Sequence, residues 1–173
     1  GAGSNSQQLG SEGVTHHIQI TGNLFMDIKR ASFSFMSDPG DSTYDYIFEN
    51  NIVNNTTGSA ISTGSGIRGT GNSYIRNNTF TDLGDPNSPN VNGLQLTFCK
   101  NLIVEDNFIS VVETSVPDGN GIIIDFWNMD TNYISDKVIV RRNEITGCLA
   151  SPRAAGINAF FAKRCEIYNN VTY

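Results

Sequence analysis

A chain of 173 residues is enough for one domain, and with 38% of them hydrophobic it can bury a real if slender core. Seventeen acidic against eleven basic residues give a formal charge of −6, which argues against nucleic acid as a partner, because a phosphate backbone selects basic surfaces. No apolar run reaches the ~20 residues of a membrane span, and no signal peptide is visible.

Residues 1–13 are polar and glycine-rich and read as an extended lead-in, with residues 14–173 forming the folded domain. Within that domain one pattern returns: an apolar residue, two further positions, then asparagine. Its copies are Ile20-Thr-Gly-Asn23, Phe48-Glu-Asn-Asn51, Ile75-Arg-Asn-Asn78, Val104-Glu-Asp-Asn107, Val140-Arg-Arg-Asn143 and Ile167-Tyr-Asn-Asn170. The asparagines lie 28, 27, 29, 36 and 27 residues apart. A period of this length means a solenoid, a propeller or an array.

The chemistry inside one copy selects among these. The residues before each asparagine alternate Ile, Val, Phe and Tyr with charged groups, the pattern of a short strand, and no segment keeps a helical apolar stripe. A propeller blade needs four strands per period, whereas two or three fit here. The fold expected is all-β, a right-handed parallel β-helix of about five to six coils. Because the chain stops in mid-coil at Tyr173, it reads as part of a longer β-helix or as one whose ends something else covers. Asparagine suits the corner between two strands: it tolerates unusual φ/ψ, and stacked amides can bond one another as a ladder.

This repeated apolar-x-x-Asn-x-apolar unit, together with Asp118-Gly-Asn-Gly-Ile-Ile-Ile-Asp125 and Val138-Ile-Val-Arg-Arg-Asn143, resembles the right-handed parallel β-helix proteins of the pectate-lyase-like superfamily. The resemblance covers about residues 14–173 and implies a carbohydrate-active protein, a polysaccharide lyase or glycoside hydrolase acting on an acidic polysaccharide, secreted or at the cell surface. The rival class on the same fold is a non-catalytic glycan-binding or spacer solenoid, such as an adhesin, surface fibre or tailspike segment. The Asn-Thr-Asp, Gly-His-Gly and Arg-Ile-Lys motifs of polygalacturonases are absent from the sequence, as are the Asp-Pro-His-Glu of mannuronan epimerases and the Trp-x-Asp-His of classical pectate lyases.

A second register runs on glycine. Gly93-Leu-Gln-Leu-Thr-Phe98, Gly121-Ile-Ile-Ile-Asp-Phe126 and Gly156-Ile-Asn-Ala-Phe-Phe161 align without gaps. Alternation sends Leu94, Leu96, Ile122, Ile124, Ile157 and Ala159 inward. It sends Gln95, Ile123 and Asn158 outward in one column and Thr97, Asp125 and Phe160 in the next, while Phe98, Phe126 and Phe161 form an aromatic column. The preceding loops set Asn90, Asp118 and Arg153 on successive coils. The fourth interval is nine residues longer than 27, with the excess around Phe126 to Ile134, and insertions in solenoids gather on one side, often the binding side.

That face collects Asp118, Asn120, Asp125, Asp130, Arg153 and Asn158, with Trp127, the only tryptophan, and Phe160 beside them. Aromatic platforms meet sugar C–H faces, and amides and carboxylates meet hydroxyls, so Asn120, Trp127, Asn158 and Phe160 are candidate substrate contacts. The same residues also make sense as turn formers and loop packing. For chemistry, Asp118, Asp125 and Arg153 are the candidates: a carboxyl pair for hydrolysis, or Arg153 as base or neutraliser of a uronate in a lyase. Asp118, Asp125 and Asp130 could hold calcium through oxygen ligands, which a polyuronate on an acidic chain would need.

Cys99, Cys148 and Cys165 are odd in number and in no C-x-x-C spacing; free thiols, one disulfide and a metal site stay open, in that order. His16 and His17 sit on the first coil, far from the candidate groove. Four positions before the ladder asparagines, Ile47, Tyr74, Ile103 and Ile139 form an outward apolar stripe that a loop or a packing partner would cover. Beside it Glu49, Arg76, Glu105 and Arg141 alternate in sign.

Overall fold

The computed structural model describes residues 7–9, 15–29, 33–35, 43–63, 68–84, 92–111, 119–125, 134–148, 155–160 and 162–173. Among them there is no helix; every element is a strand, and every strand pairing is parallel. One period lays down three strands, each joining a different sheet. The first sheet stacks Gln7–Leu9, Phe33–Phe35, Ile61–Thr63, Leu94–Thr97, Ile122–Asp125 and Ile157–Ala159. The second runs through Thr15–Thr21, Thr43–Glu49, Arg68–Arg76 and Lys100–Glu105, then the split pairs Ser135–Asp136 with Ile139–Arg141 and Ala162–Lys163 with Glu166–Tyr168. The third stacks Leu24–Ile28, Ile52–Thr56, Thr79–Leu83, Phe108–Val111, Glu144–Thr146 and Val171–Thr172. The molecule is a parallel β-solenoid of about four turns. That is slightly fewer than the five to six coils expected, a figure that counted every copy of the repeat, including the outermost levels, as a full turn. The polar lead-in contributes Gln7–Leu9 as the outermost strand of the first sheet.

The register is the one the repeat dictates. Phe48, Ile75, Val104 and Val140 stack in one inward column, and Val53, Phe80, Ile109 and Ile145 in another. All eight are fully buried, as are Leu94, Leu96, Ile122 and Ile124 of the first sheet. Phe48 lies between Phe25 and Phe80, with ring centroids 6.1 and 6.2 Å apart and nearly parallel planes. Such offset stacks add about 1 kcal/mol per pair beyond the area they bury.

The asparagine ladder holds the corner between the second and third sheets. Asn51, Asn78, Asn107 and Asn143 are buried. Each Oδ1 accepts two hydrogen bonds from the asparagine one coil earlier, one from its backbone N–H and one from its Nδ2; for Asn107 these come from Asn78 at 3.0 and 2.9 Å. Each Nδ2 also donates to a carbonyl of the preceding coil, Asn107 to Ile75 at 2.9 Å. The unusual φ falls on the residue before the ladder asparagine: Gly22, Asn50, Asn77, Asp106, Arg142 and Asn169 all have φ between 53° and 69°. This left-handed residue turns the chain sharply enough to aim the next side chain inward.

The second sheet's outer face carries the alternating column as read. Arg76 donates to Glu49 at 2.7 Å, and Arg141 and Arg142 both reach Glu105, at 2.7 and 2.8 Å. Ile47, Tyr74, Ile103 and Ile139 stand beside it in continuous register, and all four are partly exposed. Cys99, Cys148 and Cys165 are free thiols, with burial pushing the Cys148 thiol up to about 11. No helix among the described residues is long and apolar enough to cross a membrane.

Candidate functional site

The glycine register has a steric cause. A Cβ on Gly93 would strike the backbone of Gly121 and the side chain of Ile109, and one on Gly121 would strike Ile145 and the Gly156 carbonyl. Here the chain enters the first sheet so close to the third that only glycine fits. Past this point alternation takes over: Leu94 and Leu96 pair with Ile122 and Ile124 inside, while Gln95, Ile123 and Asn158 line up outside and Asp125 pairs with Thr97.

Asp125 is the focus of the outer face. Its carbonyl accepts from Ser135 Oγ at 2.9 Å and from the Phe98 N–H at 3.2 Å, which fixes its backbone to both neighbouring segments. Its carboxylate is pushed above the ordinary carboxylate range by burial, a shift only partly offset by hydrogen bonds from Thr97 and Gln95. One oxygen, Oδ1, is buried and has no partner among the described residues. A carboxyl group in this state holds its proton to higher pH than a solvated aspartate. Phe160 stands half exposed, its backbone N–H bonded to the Ile124 carbonyl at 2.7 Å. Asn158 is partly buried, with its amide 3.5 Å from Asn120 Oδ1.

Asn120 has another task than the one read from the sequence. It is 1% exposed and forms a second ladder: its Nδ2 donates to Asn92 Oδ1 at 2.9 Å, and its own Oδ1 accepts from the Ala155 N–H at 3.1 Å. Below it, the Asn92 N–H donates to Ser59 Oγ at 3.3 Å. The side chain is enclosed in the corner between coils. The signal was present in the aligned Asn92-Gly93 and Asn120-Gly121 pairs, where asparagine precedes two of the three close-approach glycines.

Asp118, Trp127, Asp130 and Arg153, with Asn90, Phe126 and Phe161, lie outside the described residues. The excess of the long coil falls between the strands ending at Asp125 and beginning at Ser135. Of the three aspartates read as calcium ligands only Asp125 is described, and its carboxylate is engaged by Thr97 and Gln95. Among the described residues no three His, Cys, Asp or Glu side chains come together to hold a metal. Phe98 is buried, with φ of 56° and the Lys100 ammonium 5.1 Å from its ring. His17 is exposed on the first coil, its Nδ1 3.3 Å from Asp45 Oδ2, far along the stack from Asp125.

Comparison of the chain with protein-family models, with curated proteins and with solved structures finds no match.

Proposed function

We propose that this chain is an extracytoplasmic, carbohydrate-active solenoid of the pectate-lyase-like kind, and that an acidic polysaccharide lies across the outer face of the first sheet at Asp125. The observation that carries the reading is the Asp125 carboxyl, raised by burial on an outward position with an unpartnered oxygen. A carboxyl that holds its proton to higher pH can donate a hydrogen bond where an ionised one would repel, which matters for a uronate approaching a chain of net charge −6. Gln95 and Asn158 bring amides to the same face and Phe160 a half-exposed ring, the mixture that sugar hydroxyls and C–H faces call for.

In glycoside hydrolysis and in lyase elimination alike, a group of this kind delivers a proton to the departing glycosidic oxygen. Asp125 takes that role here. Asp118 is the proposed second carboxyl, and Arg153 the base or the cation facing the uronate, with Trp127 as a sugar platform. Secretion or display at the cell surface follows from the substrate class.

The non-catalytic reading, a glycan-binding solenoid, is favoured by one observation: Gln95 and Thr97 already engage the Asp125 carboxylate, as they would in a static binding face. One experiment separates the two. The chain and its Asp125→Asn variant are titrated calorimetrically with a panel of oligouronates and neutral oligosaccharides, and product release is followed in parallel. Binding that survives in the variant while cleavage disappears supports the enzyme; binding without cleavage in either protein supports the glycan-binding solenoid. No binding across the panel rejects the carbohydrate reading.

A further inference from the structure

We propose that the outer face of the second sheet is a self-association surface, taking the same face of a second copy stacked in the opposite direction. Two columns on that face carry the argument. The apolar column Ile47, Tyr74, Ile103, Ile139 runs up four consecutive levels and is partly exposed at each. The strands of this sheet make their main contacts with the strands directly above and below them. Beside it runs Glu49, Arg76, Glu105, Arg141, alternating in sign.

The alternation decides the occupant. A two-fold axis along the strand direction, passing between the levels of Tyr74 and Ile103, keeps each column facing itself and reverses the order of levels. Glu49 then faces Arg141 of the second copy and Arg76 faces its Glu105, so all four charges meet opposite charges. Ile47 meets Ile139 and Tyr74 meets Ile103, which closes the apolar stripe on itself. At the corner on one side, Asp45 meets Lys137; at the corner on the other, Asp106 meets Asn77 and Arg142 meets Asn50. Two copies stacked in the same direction are related by a two-fold along the stack, which reverses the strands; where that axis runs through the charged column it sets Glu49 on Glu49 and Arg76 on Arg76. An even, alternating column is self-complementary only in the reversed arrangement, and an isologous contact is the commonest way a chain pairs with itself.

The face is about 24 by 20 Å from strand spacing and rise, so the pair would bury about 1,000 Å² in total, the low end for a specific interface. Association is accordingly weak and visible at high protein concentration. The charges lie on the rim of the stripe, where complementarity fixes orientation more than affinity.

Sedimentation equilibrium over a wide concentration range, at low and high salt, tests the surface, and cross-linking tests its direction. The expected result is a concentration-dependent dimer, weakened at least about tenfold by Ile103→Asp. In a Cys165→Ser background, a chain carrying Ile47→Cys should cross-link to one carrying Ile139→Cys and not to itself. The cross-linking arm does not depend on the folding of Ile103→Asp. A monomer at every concentration overturns the proposal, as does a dimer indifferent to a folded Ile103→Asp. Self-cross-linking of the Ile47→Cys chain overturns it in favour of same-direction pairing.

Discussion

At the corner between the second and third sheets, asparagines from Asn23 to Asn170 pass hydrogen bonds from coil to coil without a break. At the corner entering the first sheet, among the described residues, the ladder is Asn92 and Asn120, ended by Ser59 on one side and the Ala155 N–H on the other. Both corners bury polar backbone that must be satisfied. The first does it with side-chain amides that saturate donors and acceptors along the whole stack. The second combines a short amide run with glycines whose missing side chains let backbone meet backbone. One corner is therefore fragile to loss of a hydrogen-bonding group, the other to gain of a methyl group.

Gly121→Ala should have the largest effect. Its Cβ would overlap the Ile145 side chain and the Gly156 carbonyl, and backbone cannot step aside, so a loss of about 3 kcal/mol is expected, at the upper end of overpacking costs. Gly156→Ala meets only the Thr172 side chain, which can move, and should cost about 1 kcal/mol. Equal losses in thermal melts would show that backbone approach is not what the glycine register protects.

Asn107→Ala removes a side chain that accepts twice from Asn78 and donates to Ile75 and Asn143. It leaves buried groups unpaired on both neighbouring coils and should cost about 2–3 kcal/mol. Asn120→Ala breaks a shorter run and should cost about 1–2 kcal/mol. If Asn120→Ala instead left the melting temperature unchanged and abolished glycan binding, the side chain would be a sugar contact after all.

The difference between the corners is also a difference in what a sequence discloses. Six asparagines at a regular interval announce themselves, and strand alternation then places Phe48 and Val104 inside and Glu49 and Ile103 outside. Two asparagines have no period, so Asn120 was read through its neighbours as a surface residue. The left-handed positions were equally hidden, because Gly22, Asn50, Asp106 and Arg142 share a backbone angle and no side-chain chemistry. At the candidate site the column holding Thr97 and Asp125 was legible from gap-free alignment. What Asp125 experiences was not: its raised pKa comes from burial, only partly offset by hydrogen bonds from Thr97 and Gln95 one coil earlier, which no one-dimensional pattern encodes.

Asp125 supplies a smaller, pH-dependent test. Its folded pKa lies above the unfolded value, so its contribution to stability is fully present below about 3.8 and is lost as pH rises through the folded pKa. Asp125→Asn, neutral throughout, should melt higher than the parent chain at neutral pH. That advantage should shrink as pH falls and Asp125 takes up its proton. An advantage constant with pH would mean that burial does not disfavour the ionised carboxylate.

Asp106 inverts the sign and should give the smallest change. It sits at the left-handed position of the ladder corner, where hydrogen bonds from Arg142 at 2.7 and 2.8 Å hold its carboxyl below the ordinary range. A lowered folded pKa contributes stability that is present above the unfolded value and is lost as pH falls through the folded one. Asp106→Asn should therefore melt slightly below the parent chain at neutral pH, and the gap should close in acid, whereas Asp125→Asn starts above and converges downward. The pair is exposed, so solvent and salt screen it, and 0.5 M salt should shrink the Asp106 gap. Burial, unlike an ion pair, is not screened, so the Asp125 gap should persist at the same salt. If both gaps respond to salt alike, Asp125 is answering to charges near it and not to its burial on the outer face.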